Sequence, residues 1–140
     1  MKATDLMIGD WVCLKDDTKC ELPLKIDGVL TDDISIDEEG FLEGVDGLIR
    51  PIPLTSEILE KNGFEMFKYD GWVHYYRIFG NSAIPFVLHS MIGGEMLSQE
   101  VDIFSTSTDT NCGIEINYVH ELQHALRLCG LNKLAENFKV

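Results

Sequence analysis

Basic residues are scarce in this 140-residue chain. Lys and Arg number 11 against 24 Asp and Glu, a net charge of −13. Phosphate backbones and anionic membranes are bound through basic patches, so this deficit argues against both as direct partners. It fits a soluble chain with a basic protein partner. Long apolar runs are also missing: no stretch approaches the roughly 18 consecutive apolar residues of a membrane helix. The opening MKATDLMIGD has no apolar core of the kind a secretory leader carries, so a cytoplasmic location is expected. The four cysteines, Cys13, Cys20, Cys112 and Cys129, form no C-x-x-C pair and no metal-binding spacing. In a cytoplasmic chain, reduced thiols with no native bridge are then expected. Internal repeats, low-complexity tracts and long charge runs are absent as well.

What is present is the patterning of a folded domain, with 45% hydrophobic residues. Residues 1–54 carry 13 acids and 5 bases, a denser negative charge than the remainder. This first part reads as short strands between turns. Trp11-Val12-Cys13-Leu14 is an apolar run of strand length. Leu22, Leu24 and Ile26 alternate with Pro23 and Lys25, and Pro23 predicts an edge or bulged strand. Asp27-Gly28 predicts a turn. Leu30, Ile34 and Ile36, then Phe41 to Val45, then Leu48-Ile49 complete a set of four or five strands. So many short strands in about 50 residues predict a small SH3-like β-barrel over residues 1–53.

Pro51-Ile52-Pro53 is a stiff extended joint. Beyond it, Thr55 can cap a helix over 55–62, with Leu54 and Leu59 as a hydrophobic staple and Gly63 as its stop. Strands are predicted at 64–69, 72–79, 86–89, 101–104 and 113–116, the first two joined by Asp70-Gly71. A closing helix over 118–129 ends at Gly130, with Leu131 folding back on Leu126; the tail beyond it is expected to fray. The predicted class is α+β: the barrel, then a helix–antiparallel sheet–helix unit over 54–140, with both helices covering one side of its sheet.

The closing helix spells His120-Glu121-Leu122-Gln123-His124, which matches H-E-x-x-H. In zinc hydrolases of that pattern the two histidines ligate the metal and the Glu polarises the attacking water. A helical wheel weighs against that role. Tyr118, Val119, Leu122, Ala125, Leu126, Leu128 and Cys129 fall on one apolar side, while His120 and His124 fall opposite it, beside Arg127. The wheel thus predicts a solvated polar face. A third zinc ligand is also hard to find: Gly130 occupies the position where a third His would follow, and Glu136, His74 and His89 have no diagnostic spacing.

Three stretches together resemble a set of small proteins from gut anaerobes and their prophages and mobile elements. They are Ile8-Gly9-Asp10-Trp11-Val12, the Pro51–Phe64 stretch PIPLTSEILEKNGF, and the Ile116–Gly130 stretch INYVHELQHALRLCG. That set has no established activity, and the position of His124 is often Asn there. The resemblance therefore implies a shared architecture and a mobile-element setting, and it points away from zinc.

Other clusters have plainer readings. Trp72, His74 and Tyr76 alternate along one strand and form a candidate interaction surface. Asp32-Asp33 and the acids at 37–39 lack the spacing of a calcium loop. Ser105 to Asn111 lacks a nucleophile context, and Gly93-Gly94 lacks the Lys-Ser/Thr of a phosphate cradle. The expected function is a non-enzymatic adaptor that needs no cofactor and binds a protein, basic in character. The alternatives are a zinc-dependent hydrolase acting through Glu121, His120 and His124, and an acidic decoy of a nucleic-acid-binding protein.

Overall fold

In the computed structural model, the described residues are 1–30, 32–36, 40–69, 72–77, 86–90, 99–103 and 112–140. They form a mixed helix and strand fold with two five-stranded antiparallel sheets. No helix among them is long and apolar enough to cross a membrane.

The first sheet contains β1 (Trp11–Leu14), β2 (Leu24–Val29), β3 (Ile34–Ile36), β4 (Gly40–Leu42) and β5 (Ile49–Pro51), in the order β4-β3-β2-β1-β5. β1 is flanked by β2 and β5: Val12 pairs with both Leu24 and Pro51. Among the described residues β4 and β5 end the order, so the sheet is open. Its inward side chains Val12, Ile26, Ile34, Ile36 and Ile49 make a core with Val45 from the β4–β5 connection, closed by Ala3 and Leu6 from the N-terminal segment.

Two local expectations are corrected here. Of the two readings at Pro23 the edge strand is overturned, because β2 begins after it at Leu24 and lies between β1 and β3, whereas the irregular strand holds. Asp27-Gly28 does not turn the chain. It forms an irregularity inside β2, between the Ile26–Ile36 and Gly28–Ser35 pairs. The missing side chain at Gly28 leaves room for Ser35, whose Oγ would lie 2.7 Å from a Cβ there, and that hydroxyl donates to the Asp27 carboxylate. A bulge uses the same residue types as a turn, and only the partner strand tells them apart.

The second sheet runs β10-β9-β8-β7-β6, from β6 (Glu65–Tyr69), β7 (Trp72–Arg77), β8 (Phe86–Ser90), β9 (Gln99–Ile103) and β10 (Cys112–Ile116). Each strand pairs antiparallel with the next in sequence. The helix α1 (Ser56–Lys61) precedes it and follows the predicted rules. The Thr55 hydroxyl accepts from Ile58 N at 3.3 Å, and Leu54 and Leu59 are buried. Gly63, at φ +76°, lets Gly63 N and Phe64 N turn back to Glu60 O and Leu59 O. The side chains of Trp72, His74 and Tyr76 lie outside the described residues, as do Asp70-Gly71, the acids at 37–39, Gly93-Gly94 and the loop Ser105 to Asn111.

The closing helix α2 (Val119–Leu128) does not group with this second sheet. One compact unit comprises Met1–Pro53 with Tyr118–Phe138, and the other Leu54–Asn117 with Lys139. The expected division at residue 53 therefore holds on one side only, because α2 returns to the first unit and packs against β1. The return is anchored by Val119 N donating to Ile52 O at 3.0 Å and by a bridge between Pro53 and Tyr118. The tail does not fray either. It forms α3 (Asn132–Glu136), buries Ala135 and Phe138, and receives the Trp11 indole N–H on Phe138 O at 2.8 Å. Cys13 and Cys20 meet sulfur to sulfur, with Cα atoms 5.6 Å apart, against the expectation of no native bridge.

Candidate functional site

The H-E-x-x-H helix meets the turn that leads into β1, and the contact is polar and buried. The turn, Met7 to Asp10, is closed by Asp10 N donating to Met7 O at 3.1 Å, while Gly9 N donates to Ile26 O and Asp10 O accepts from Ile26 N across to β2. Gly9 sits at φ +90°, and a Cβ there would lie 3.1 Å from Arg127 Nη2. Glycine thus serves both the backbone conformation and the close approach of α2.

This turn aims the Asp10 side chain, which has no exposed surface, at α2. One Asp10 oxygen accepts from His124 Nε2 at 2.6 Å and from Met7 N at 2.8 Å. The other accepts from Arg127 Nη1 at 2.7 Å, and Arg127 Nη2 reaches Ile8 O at 2.9 Å. Burial by itself would raise the Asp10 carboxyl. The hydrogen bonds from His124, Arg127 and Met7 N outweigh it and hold the carboxyl below the usual range. An ionised carboxylate only accepts, so His124 Nε2 carries the proton that it donates.

Gln123 is fully buried beside this pair. Its amide nitrogen donates to Gly9 O and Ala135 O, both at 2.8 Å, and its oxygen accepts from Trp11 N at 3.1 Å. One side chain thereby joins the β1 turn, the start of β1 and α3. Glu121 accepts from Tyr118 N at 3.1 Å, the reciprocal bond of a helix N-cap. His120 is buried, stacks on Tyr118 at 6.0 Å and meets His124 edge-on at 5.7 Å. Its Nδ1 is buried without a hydrogen-bond partner among the described residues, and burial pulls its pKa down.

The predicted solvated face is therefore corrected. Val119, His120, Leu122, Gln123, Ala125 and Leu126 form the buried arc of α2, and Leu128 stands 78% exposed. The arc is rotated toward the polar residues. The facing surface carries carbonyls, an N–H and a carboxylate that need partners. The helix end follows expectation: Gly130 N and Leu131 N return to Arg127 O and Leu126 O, with Gly130 at φ +77°.

Of the residues required by zinc chemistry, His120 and His124 are brought together. However, His124 Nε2 faces Asp10, and Glu121 turns back to its own helix start. Among the described residues no group of three His, Cys, Asp or Glu is placed to hold a metal ion. The sequence reasoning missed Asp10, Gln123 and Trp11 as partners of this helix. Asp10 and Trp11 lie more than a hundred residues from the helix in sequence, and no local pattern signals them. No family model matches the chain, and comparison with curated proteins and with solved structures finds no match.

The environments of His120 and Asp10 set an acid dependence. His120 is held neutral by burial, so the native state gives up stability as pH falls below the ordinary imidazole value of about 6.5. Asp10 is held ionised, so its contribution is present above the ordinary carboxyl value of about 3.9 and is lost below it. Urea denaturation across pH is expected to show two falls toward acid. The His120→Phe variant should lose the upper fall and keep the lower.

Proposed function

We propose that this protein is a non-enzymatic adaptor of mobile-element origin that binds a basic protein segment, and that its first unit is a small SH3-like barrel. The strand order β4-β3-β2-β1-β5, with β5 returning to β1, supports the barrel reading. The observation that carries the binding reading is an exposed cluster at one end of that sheet. Lys15 N donates to Leu48 O, Asp17 N to Leu14 O, and Leu22 N to the Asp17 carboxylate. These bonds bring the backbone at Leu14, Leu22 and Leu48 to the same end of the sheet, and all three residues are exposed, Leu22 at 75%. Exposed Asp16, Glu21 and Asp46 lie within two residues of them in sequence, and exposed Lys15 and Lys19 share the loop, with Lys19 4.0 Å from Glu21. Apolar anchors with acids beside them suit a basic, partly apolar segment. Trp72, His74 and Tyr76 are the other candidate surface.

On this reading H-E-x-x-H serves the fold: His124 bonds Asp10, Gln123 bonds Gly9 O and Ala135 O, and Glu121 bonds Tyr118 N. The test is to place a photo-crosslinker at Leu22, identify the captured protein, and titrate it in purified form. Affinity should fall about tenfold or more from low to high salt. It should be abolished in a Leu22→Asp, Asp46→Lys variant that still melts cooperatively. Competition by DNA for the captured protein would place that partner among nucleic-acid-binding proteins, the decoy form of the same binding. One zinc per chain, lost in His120→Ala and His124→Ala, together with hydrolysis lost in Glu121→Gln, would overturn the adaptor reading.

A further inference from the structure

We propose that Cys13 and Cys20 form a reversible disulfide that locks the connection between β1 and β2, with Cys20 as the sulfur open to thiol–disulfide exchange. The argument stands apart from the adaptor reading. The Cα atoms are 5.6 Å apart, inside the range a bridge requires. The approach is built by the loop. Asp17 N returns to Leu14 O, Thr18 N to Asp16 O, and Cys20 N to Asp17 O, a succession of tight turns that brings residue 20 back beside β1. Cys20 sits at φ +54°, a conformation rarely adopted by a residue with a side chain. The same loop is tied to the sheet by the Arg50 guanidinium on Asp17 O, and Arg50 is the β5 partner of Cys13. A bond at this point therefore fastens a loop whose position already depends on β1 and β5.

The two residues differ in exposure. Cys13 is fully buried in β1, whereas Cys20 is part-exposed at the loop end. A small thiolate reaches Cys20 first. Its sulfur bonds to Cys20 Sγ, the Cys13–Cys20 bond breaks, and the electron pair leaves on Cys13 Sγ, which takes a proton from water. A second small thiolate attacks its counterpart in the mixed disulfide, so a small disulfide departs and Cys20 leaves as a thiolate, then protonates. Two electrons pass from two small thiols to the protein bridge. A small-molecule disulfide drives the same steps in reverse.

The full chain, purified without thiol, would be equilibrated with oxidised or reduced glutathione, alkylated in denaturant and digested with trypsin. The oxidised sample should give peptides 3–15 and 20–25 joined, lighter than their sum by two hydrogens, and the reduced sample should give both alkylated. In native conditions, trypsin should cut at the exposed Lys15 and Lys19 about tenfold or more faster in the reduced protein, because opening the ring frees the loop. Cys20→Ser should cleave at the reduced rate under both conditions. Absence of the joined peptide in the oxidised sample would overturn the proposal. So would a bridge that survives excess reduced glutathione, or equal cleavage of bridged and open protein.

Discussion

Replacing Asp10 by Ala should destabilise the protein by about 3 kcal/mol, read as a lower urea midpoint in metal-free buffer. The carboxylate is fully buried and is shared by His124, Arg127 and Met7 N. Removing it leaves a guanidinium, an imidazole N–H and a backbone N–H facing an empty site. The loss lies at the low end for a broken buried ion pair, because Arg127 and His124 are each partly exposed and can recruit water. His124→Ala should lose less, about 1 kcal/mol, since Asp10 keeps Arg127 and Met7 N. His124→Asn should recover part of that, because an amide N–H can donate to the same carboxylate. Combining Asp10→Ala with Arg127→Ala should cost less than the sum of the two, because both remove one contact. A His124→Ala protein as stable as the wild type would sink this account of the motif.

The contrast between α1 and α2 shows what was legible in the sequence. α1 is governed by local rules. Thr55 caps it, Leu54 and Leu59 staple it, and Gly63 ends it, and each role depends on residues no more than five positions away. The same locality made most strands readable, since period-two alternation and short turns suffice. α2 began and ended near its predicted limits for the same reason, with Gly130 and Leu131 closing it. Its facing was legible only in part: Val119, Leu122, Ala125 and Leu126 are buried as the wheel predicts, but His120 and Gln123 are buried with them. A wheel ranks side chains by apolarity and assumes that the buried side is the apolar one. Here the docking surface is a turn with Gly9 O and Asp10 presented inward, so Gln123 is buried and Leu128 is left out.

Asp10 and Gln123 lie more than a hundred residues apart in sequence, and no local pattern couples them. The same distance explains the division of the chain. Composition shifts near residue 53 and suggested a boundary, yet the chain comes back: Tyr118–Phe138 completes the first unit. The Trp11 indole on Phe138 O and the Lys25 ammonium on Glu136 O tie even the last helix to that unit. A tail that carries its own partners for strand residues does not fray, although its sequence alone is short and weakly amphipathic.

Gln123→Leu, nearly isosteric, should destabilise the protein by about 3–4 kcal/mol, the largest effect of a volume-conserving change on α2. Gln123 has no exposed surface, and its amide satisfies Gly9 O, Ala135 O and Trp11 N. Leucine fills the space but leaves two carbonyls and one N–H without partners, each costing about 1 kcal/mol or more in a site water does not reach. The damage should be distributed. Hydrogen exchange should quicken at Trp11 N, which loses its acceptor. Limited proteolysis should release the segment after Gly130, which loses the tie at Ala135 O. Gln123→Glu separates polarity from hydrogen-bond pattern. It keeps an acceptor for Trp11 N but sets carboxylate oxygens against the carbonyls of Gly9 and Ala135, so it should destabilise at least as much as Leu at neutral pH. Toward acid it should recover relative to Leu, as protonation restores one donor. If Gln123→Leu unfolds at the wild-type midpoint, the amide is not the joint between turn and helix, and the fit of α2 against β1 must rest on its apolar residues alone.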